Sequence, residues 1–187
     1  MTMTLFRFGT VAAVILALPP FVGAARADAA SALRCQQTIN KELAKFVKTK
    51  STILKSCKES SVKKGDPSIV TDCPVQAQDD KINAAAQKLK DKIAGACGGE
   101  NRVCNVADVG ADADEPLGDI GWDLGACPDF RGQGCTNTIA DCNDIGTCVA
   151  CIGHDAVNLP NEHYYDLLNP TEFTTGSDVN KCQIAIG

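Results

Sequence analysis

The sequence predicts a mainly α-helical protein: a disulfide-stapled antiparallel helical hairpin packed with a cysteine-rich acidic segment of short helices and loops. Two stretches carry apolar residues at intervals of three or four, which is the spacing of a buried helix face. Eleven of the 187 residues are cysteines, against one Trp, two Tyr and six Phe. Residues 28–103 carry 14 basic and 9 acidic side chains, whereas residues 104–187 carry 2 and 14. We therefore expect two halves of opposite charge that are held together partly by cross-links.

Residues 1–27 are predicted to be a secretory signal peptide. Arg7 supplies a basic start, an uncharged run follows, and Ala25 and Ala27 place small side chains where a signal peptidase cleaves. The apolar centre of this run is too short to span a bilayer, and Pro19 and Pro20 interrupt it. We expect cleavage near Ala27 and no membrane span afterwards. The mature protein is expected to be bacterial and secreted, periplasmic or at the cell surface, where disulfides persist.

Residues 28–103 are the predicted basic hairpin, and one long seam defines its first helix. The seam positions are all three or four residues apart, and all but one are apolar. They are Ala32, Cys35, Ile39, Leu43, Phe46, Lys50, Ile53 and Cys57. The remaining faces carry lysines that are expected to be solvated: Lys41, Lys45, Lys48, Lys55 and Lys58. The helix is predicted to end at Gly65-Asp66-Pro67.

The second hairpin helix is predicted to begin near Gln78 or Asp79 and to end at Gly98-Gly99. Its seam has the same spacing and consists of Ile82, Ala86, Leu89, Ile93 and Cys97. A linker of about a dozen residues between two such helices favours antiparallel packing.

Antiparallel packing predicts two disulfides, one at each end of the hairpin. Cys35 and Cys57 are 22 residues apart on one helix, which separates them by about 33 Å, so they cannot bond to each other. The packing places Cys57 beside Cys73 at the linker end and Cys35 beside Cys97 at the open end. Cys104 is an alternative partner for Cys35.

Residues 104–176 form the predicted acidic segment. Residues 105–130 are expected to be a loop rich in Asp, Gly and Pro that Trp122 anchors on the helices. Its carboxylates are expected to be solvated, because their spacing does not match a calcium-binding EF-hand. A third helix is predicted after Cys135, capped by Thr136 or Asn137 and running through Ile152. A fourth is predicted to begin at Pro160 and to end before Asn169, so that Tyr164, Tyr165, Leu167 and Leu168 lie on it.

The cysteines of the acidic segment allow three interpretations. In the favoured interpretation, Cys142, Cys148 and Cys151 form structural disulfides with three earlier cysteines of the segment, which are Cys104, Cys127 and Cys135. The sequence leaves open which of them pair with each other. The second is thiol–disulfide chemistry, because Cys148 and Cys151 have CxxC spacing. The third is a metal site formed by Cys142, Cys148, Cys151 and His154. Covalent haem attachment is excluded, because Ile152 rather than histidine follows Cys151.

The sequence lacks the common signatures of catalysis. It has no Gly-x-Ser-x-Gly, no His-Glu-x-x-His and no phosphate-binding glycine loop, and His154 and His163 have no evident nucleophile partner. We therefore predict no enzymatic activity and no cofactor. Nucleic-acid binding is not expected, because the chain is acidic overall and its basic half has neither Tyr nor Trp.

Residues 177–187 are predicted to begin a second repeat of the chain. Lys181-Cys182-Gln183, with Ile186, repeats the order of Arg34-Cys35-Gln36, with Ile39. The alternative is chance, because only four positions agree. If the repeat is real, Cys182 is the eleventh cysteine because it is the counterpart of Cys35, and it is expected to be unpaired within the chain or to bond between chains.

Several motifs together resemble a group of uncharacterised, secreted, cysteine-rich bacterial proteins with helical hairpins, in which the unit is often repeated. The motifs are Cys35-Gln36, Cys57, Cys73-Pro74, Ala96-Cys97-Gly98-Gly99, Gly121-Trp122, Cys127-Pro128, Cys135-Thr136 and Cys148-Val149-Ala150-Cys151. The resemblance implies an exported protein and a repeat architecture, and it implies no function. Cys142 lies outside this pattern.

The function predicted from these features is that of an exported, disulfide-rich structural or binding module. Its partner is expected to be another copy of the chain or another cell-surface protein, and the acidic half of one unit is expected to meet the basic hairpin of the next. The alternative function is that of a small periplasmic protein that binds metal or cycles a disulfide through the segment from Cys142 to His154.

Overall fold

Three α-helices form the structure, a computed structural model that describes residues 24–64, 73–105 and 107–166. Helix α1 spans Ala24–Lys64, α2 spans Gln76–Cys97 and α3 spans Cys142–Asn161, and each helix contacts the other two. Within these residues there is no β-strand, only two isolated β-bridges. The mainly helical, disulfide-stapled fold that the sequence predicts is therefore confirmed. None of the described helices is long and apolar enough to cross a membrane.

Helices α1 and α2 form the predicted hairpin. Cys35 bonds to Cys97 at one end and Cys57 bonds to Cys73 at the other, which are the two pairs that antiparallel packing predicts. The core contains nearly every predicted seam position of both helices, because a spacing of three or four residues keeps those side chains on one face. Leu54 is buried where Ile53 was the predicted seam residue, and Ile53 is only partly buried.

One of the lysines predicted to be solvated lies inside the protein. Lys58 is only 5% exposed, so its assignment to a solvated face is wrong. It lies four residues after Leu54 and eight after Lys50, so these three positions form one ridge of α1, and that ridge faces the end of α3. The spacing within α1 shows which side chains share a face, but it does not show which faces other helices cover. Lys58 is buried because α3 packs on its face.

Glycines 98 and 99 end α2 and let the acidic loop, as we call residues 104–141 before α3, approach closely. A Cβ atom at Gly99 would lie 2.4 Å from the backbone of Asp112, and Gly99 has a φ of +44°. The backbone amide of Glu115 donates a hydrogen bond of 2.7 Å to the carbonyl of Cys97. Only glycine combines this backbone conformation with this contact, so the pair also attaches the acidic loop to the hairpin.

The start of the third helix differs from the prediction. Helix α3 begins at Cys142, not after Cys135, and Asp141 caps it by accepting hydrogen bonds from the amides of Asn143 and Asp144. Thr136 and Asn137 do not cap a helix because their segment pairs with the preceding loop: the amide of Cys127 donates to the carbonyl of Asn137. A long-range backbone pairing thus overrides a local capping signal.

The predicted fourth helix does not exist as a separate element. Helix α3 continues through Pro160 to Asn161, and a π-helical turn follows over Glu162–Asp166. Proline removes one hydrogen bond from a helix, but here it lies in the last turn, and the side chain of Asn161 donates to the carbonyl of Val157. Tyr164 and Tyr165 lie in the π-helical turn. Leu167 and Leu168 lie outside the described residues.

Several side chains of the acidic loop pack on the core, among them Trp122 and Ile120. Trp122, the predicted anchor, is partly buried against the core. Ile120 is the more deeply buried of the two, with 2% of its surface exposed. The sequence pointed to the tryptophan because of its size, whereas the buried position is taken by the smaller side chain two residues earlier.

Several sequence predictions lie wholly or partly outside the described residues. They include the signal peptide as far as residue 23, the stop at Gly65-Asp66-Pro67, and the repeat start that contains Cys182. Among the side chains whose burial is described, Ala32 is the first to be buried. The described core therefore begins after the predicted cleavage point at Ala27.

Candidate functional site

Three disulfides connect α3 to the acidic loop, one from each helix cysteine. Cys142 bonds to Cys104, Cys148 bonds to Cys127 and Cys151 bonds to Cys135. The sequence had left this pairing open. Cys148 and Cys151 are therefore bonded to different loop cysteines, and their CxxC spacing does not form a dithiol pair. Three successive turns of one helix are thereby tied to three positions of the loop.

The four predicted metal ligands do not form a cluster. Cys142, Cys148 and Cys151 take part in separate disulfides, and the side chain of His154 faces α1. Within the described residues, two groups have ligand atoms close together, and each contains the two sulfurs of one disulfide plus Asp114 or Asp155. Bonded sulfurs are not thiolates, and thiolates are the form that binds zinc. The predicted metal set is therefore not supported.

A cavity of about 320 Å³ that opens to solvent lies where the three helices meet at the linker end of the hairpin. Helix α1 contributes a ridge of two lysines around a leucine, and α3 contributes its last two turns. The lining residues used below are Lys50, Leu54 and Lys58 of α1, Asp79 and Ile82 of α2, and His154, Asn158, Asn161 and Glu162 from α3 and the turn after it. We call this region the three-helix cavity.

Lys50 is the most unusual lining residue because it is a charged side chain in the core. Only 4% of its surface is exposed. Its Nζ atom lies 2.8 Å from Nδ1 of His154 and donates to the backbone carbonyl of His154 at 3.1 Å. These acceptors take two of the three ammonium hydrogens. Among the described residues, no carboxylate forms an ion pair with Lys50.

The packing of His154 determines how it meets Lys50. Its ring contacts the ring of Phe46 edge-on, with centroids 4.9 Å apart and planes inclined by 67°. Phe46 in turn packs against Gly153, where a Cβ atom would lie 2.8 Å from the phenylalanine ring. The absence of a side chain at Gly153 therefore lets α3 approach α1. With a charged Lys50 as donor, Nδ1 of His154 accepts, so a neutral ring carries its proton on Nε2.

Burial shifts both groups of this pair, and the charge of Lys50 also acts on His154. Burial lowers the pKa of Lys50 from its ordinary 10.5 to about 8, although the charges of Asp155, Asp79 and Glu162 partly oppose the shift. Burial is also the largest cause that lowers the pKa of His154 to about 4, and the charge of the neighbouring Lys50 contributes to the same shift. At neutral pH the site therefore contains a neutral imidazole and a lysine that is still mostly charged.

The described carboxylates near the cavity have other interactions and form no ion pair with Lys50. Glu162 is bound by Arg131, with 3.2 Å between the guanidinium Nη2 and Oε2. Arg131 also donates to the backbone carbonyl of Asp155. Asp79 lies in the first turn of α2, where a carboxylate is favourable to the helix dipole. The carboxylates thus surround the cavity and do not neutralise the buried lysine.

The sequence contains one signal for this site, which is the interruption of the apolar seam of α1. Lys50 is the single polar residue in the predicted seam of α1, and it is buried as the seam requires. A lysine at a core position needs a reason, because burying its charge is costly. Its partner could not be identified, because His154 lies 104 residues further along the chain.

The fold and cavity define a class: a three-helix protein stapled by disulfides, with a polar cavity between its helices. Comparison with known proteins adds no family to this description. No protein-family model matches the chain, and neither a curated protein nor a solved structure is significantly similar to it.

The lowered pKa of His154 predicts that stability falls as the pH falls from 6.5 to about 4. In this interval the unfolded chain binds a proton on His154 that the folded chain does not, so protonation favours unfolding. The loss is on the order of 1–2 kcal/mol, because the ring is partly solvated and solvent screens the interaction. Urea unfolding of the wild type and of His154→Gln, compared from pH 7 to pH 4.5, measures it.

The difference between these two proteins isolates the histidine from the acidic residues that also titrate near pH 4. Glutamine retains an acceptor for Lys50 but cannot be protonated in this range. We expect the stability of His154→Gln to decrease less than that of the wild type. If the free energy of unfolding falls equally in the two proteins between pH 7 and pH 4.5, the prediction is contradicted.

Proposed function

We propose that the protein is an exported, disulfide-stapled binding module whose ligand occupies the three-helix cavity. The observation that carries this proposal is Lys50, a lysine 4% exposed that lines a cavity and has no carboxylate partner among the described residues. A small cavity with a few convergent polar groups is the usual form of a ligand site.

The buried charge of Lys50 is expected to lower the free energy of unfolding. Taking an ammonium group out of water destabilises a protein unless an opposite charge or several hydrogen bonds compensate it. Residues that break a packing pattern at a cost in stability are typical of functional sites. The hydrogen bonds to His154 compensate only in part, since burial still lowers the pKa of Lys50.

The disulfides support a binding role over a redox role. Five bridges join all ten cysteines of the described residues, and they tie both hairpin helices and α3 to their neighbours. Such cross-links keep the walls of a cavity in place without a large apolar core. The alternative function, through the segment from Cys142 to His154, would first require reduction of three of these bridges.

The substitution Lys50→Met tests the proposal. We expect it to raise the free energy of unfolding by about 1–2 kcal/mol at pH 7, because methionine fills a similar volume without a buried charge. A thermal-shift screen of small metabolites should contain compounds that stabilise the wild type and not Lys50→Met. Lys48→Met is the matched control, since Lys48 is exposed on the same helix. A large loss of stability in Lys50→Met together with an empty screen would show that Lys50 is structural.

The export of the protein is part of this proposal. Five disulfides fit a compartment outside the reducing cytosol. The sequence adds the basic start at Arg7 and the cleavage point after Ala27. Cell fractionation and N-terminal sequencing of the product check it: a mature chain that begins at Asp28 is expected. The bacterial origin, the resemblance to repeated cysteine-rich proteins and association with another copy or a cell-surface protein remain predictions.

A further inference from the structure

We propose that the three-helix cavity binds a small organic monocarboxylate, whose carboxylate forms an ion pair with Lys50 and whose apolar part packs between Leu54 and Ile82. This inference rests on the proposed binding function and names the chemical class of the ligand. Three features of the cavity support this class of ligand: the uncompensated charge of Lys50, the charges around it, and the character of the walls.

The first feature is the uncompensated charge of Lys50. Its ammonium group has two neutral acceptors, both on His154, and one hydrogen left for another acceptor. An anionic acceptor would supply the opposite charge that a buried ammonium requires. Because Lys50 itself is only 4% exposed, an ion pair formed with it is screened less than one on the surface.

The second feature is the charge balance of the cavity lining, which limits the charge of the anion. Lys50 and Lys58 line the cavity together with Asp79 and Glu162, and Asp155 is close enough to influence the pKa of Lys50. A dianion such as sulfate would meet the repulsion of these carboxylates, whereas a monoanion placed against Lys50 gains attraction with less repulsion. Electrostatics therefore favour one negative charge.

The third feature is the composition of the cavity walls. Leu54 of α1, Ile82 of α2 and Pro74 of the linker give the cavity apolar surfaces, and Asn158 and Asn161 add amide groups from α3. Leu54 and Ile82 are themselves buried. A volume of about 320 Å³ is at the lower end of the range for small-molecule sites. A compact apolar body with one carboxylate matches these features.

Binding is expected to depend on pH through the charge of Lys50. The charged groups that act on Lys50 or on its partner His154 are Asp79 and Lys90 of α2, Asp155 of α3 and Glu162 after it. Lys58 lies on the same ridge of α1. A bound anion favours the charged lysine, so affinity should fall as the pH rises past the pKa of Lys50.

The experiment uses benzoate as the probe and the full-length mature protein made in an oxidising compartment. Isothermal titration at pH 6.5 compares benzoate with benzamide, which has the same shape without the charge, and with sulfate, which is a dianion at this pH. The proteins are the wild type, Lys50→Met and the control Lys48→Met. Benzoate titration of the wild type is repeated at pH 9.5, where benzoate is still ionised.

The expected result is saturable binding of benzoate to the wild type and to Lys48→Met, at least tenfold weaker binding to Lys50→Met, and weaker binding at pH 9.5 than at pH 6.5. Benzamide and sulfate should bind at least tenfold more weakly than benzoate. Equal binding to Lys50→Met, preference for sulfate or benzamide, or no benzoate binding overturns the proposal. If benzoate fails while the metabolite screen yields another compound dependent on Lys50, only the ligand class is wrong. If both fail, the binding function itself is wrong.

Discussion

Replacing both Cys35 and Cys97 by serine is expected to lower the free energy of unfolding by about 4 kcal/mol. The bridge closes a loop with a sequence separation of 62 residues, and both cysteines are fully buried at the open end of the hairpin. Its loss enlarges the conformational freedom of the unfolded chain and leaves two polar hydroxyl groups in the core. The Cys57–Cys73 bridge shortens this loop, but the estimate changes little because it varies with the logarithm of loop length.

Urea unfolding followed by circular dichroism measures the effect. The double substitution is used because a single one would leave a free thiol that can exchange with the remaining bridges. The matched control is the pair Cys57→Ser and Cys73→Ser, whose bridge has a sequence separation of only 16 residues. We expect about 3 kcal/mol for the control. A smaller loss at Cys35 and Cys97 than at the control pair would contradict the account based on loop length and burial.

Replacing Phe46 by alanine is expected to lower the free energy of unfolding by about 3–5 kcal/mol. Phe46 is 2% exposed, and its ring fills the space above Gly153 and meets the ring of His154. Its removal leaves a cavity between α1 and α3 that no neighbouring side chain fills without movement. Phe46→Leu, which keeps most of the apolar volume, is the control and should cost much less. Chemical unfolding of both variants measures the difference.

A double-mutant cycle separates the contact with Gly153 from the general loss of apolar volume. Gly153→Ala alone should destabilise, because the new Cβ atom would lie 2.8 Å from the ring of Phe46. In the background of Phe46→Leu the same substitution should cost less, since a smaller side chain can yield. Additive costs in the cycle would show that Phe46 and Gly153 do not constrain each other.

The hairpin was predictable because its information is local and periodic. The apolar seam of α2 recurs every three or four residues, and four of its five positions are buried in the structure: Ile82, Leu89, Ile93 and Cys97. Cys97 lies at the end of α2, and Cys35 lies near the corresponding end of the α1 seam, so the length of each helix sets the distance between cysteines. Periodicity and helix length are properties of single segments, and the sequence displays them directly.

The helix boundaries in the acidic half were less predictable because several local signals compete. Thr136, Asn137 and Asp141 are all residues that cap helices. Asp141 caps α3, because the segment before it is held by backbone pairing to the loop at Cys127. Proline is favoured in the first turn of a helix, yet Pro160 lies in the last turn of α3. At the start of α3, a backbone contact outside the helix decides between the local options.

The sequence by itself determined the helical class, the hairpin and its two bridges, and the crowding of cysteines in the acidic half. Only the tertiary structure decided how those cysteines pair and that Lys50 meets His154 inside a cavity. The physical reason is the range of the interactions. A helix face is set by neighbours three or four residues apart, whereas a cavity exists only where helices from three parts of the chain pack together. Lys50 interrupts the apolar seam in the sequence, and the tertiary structure shows that its partner is His154.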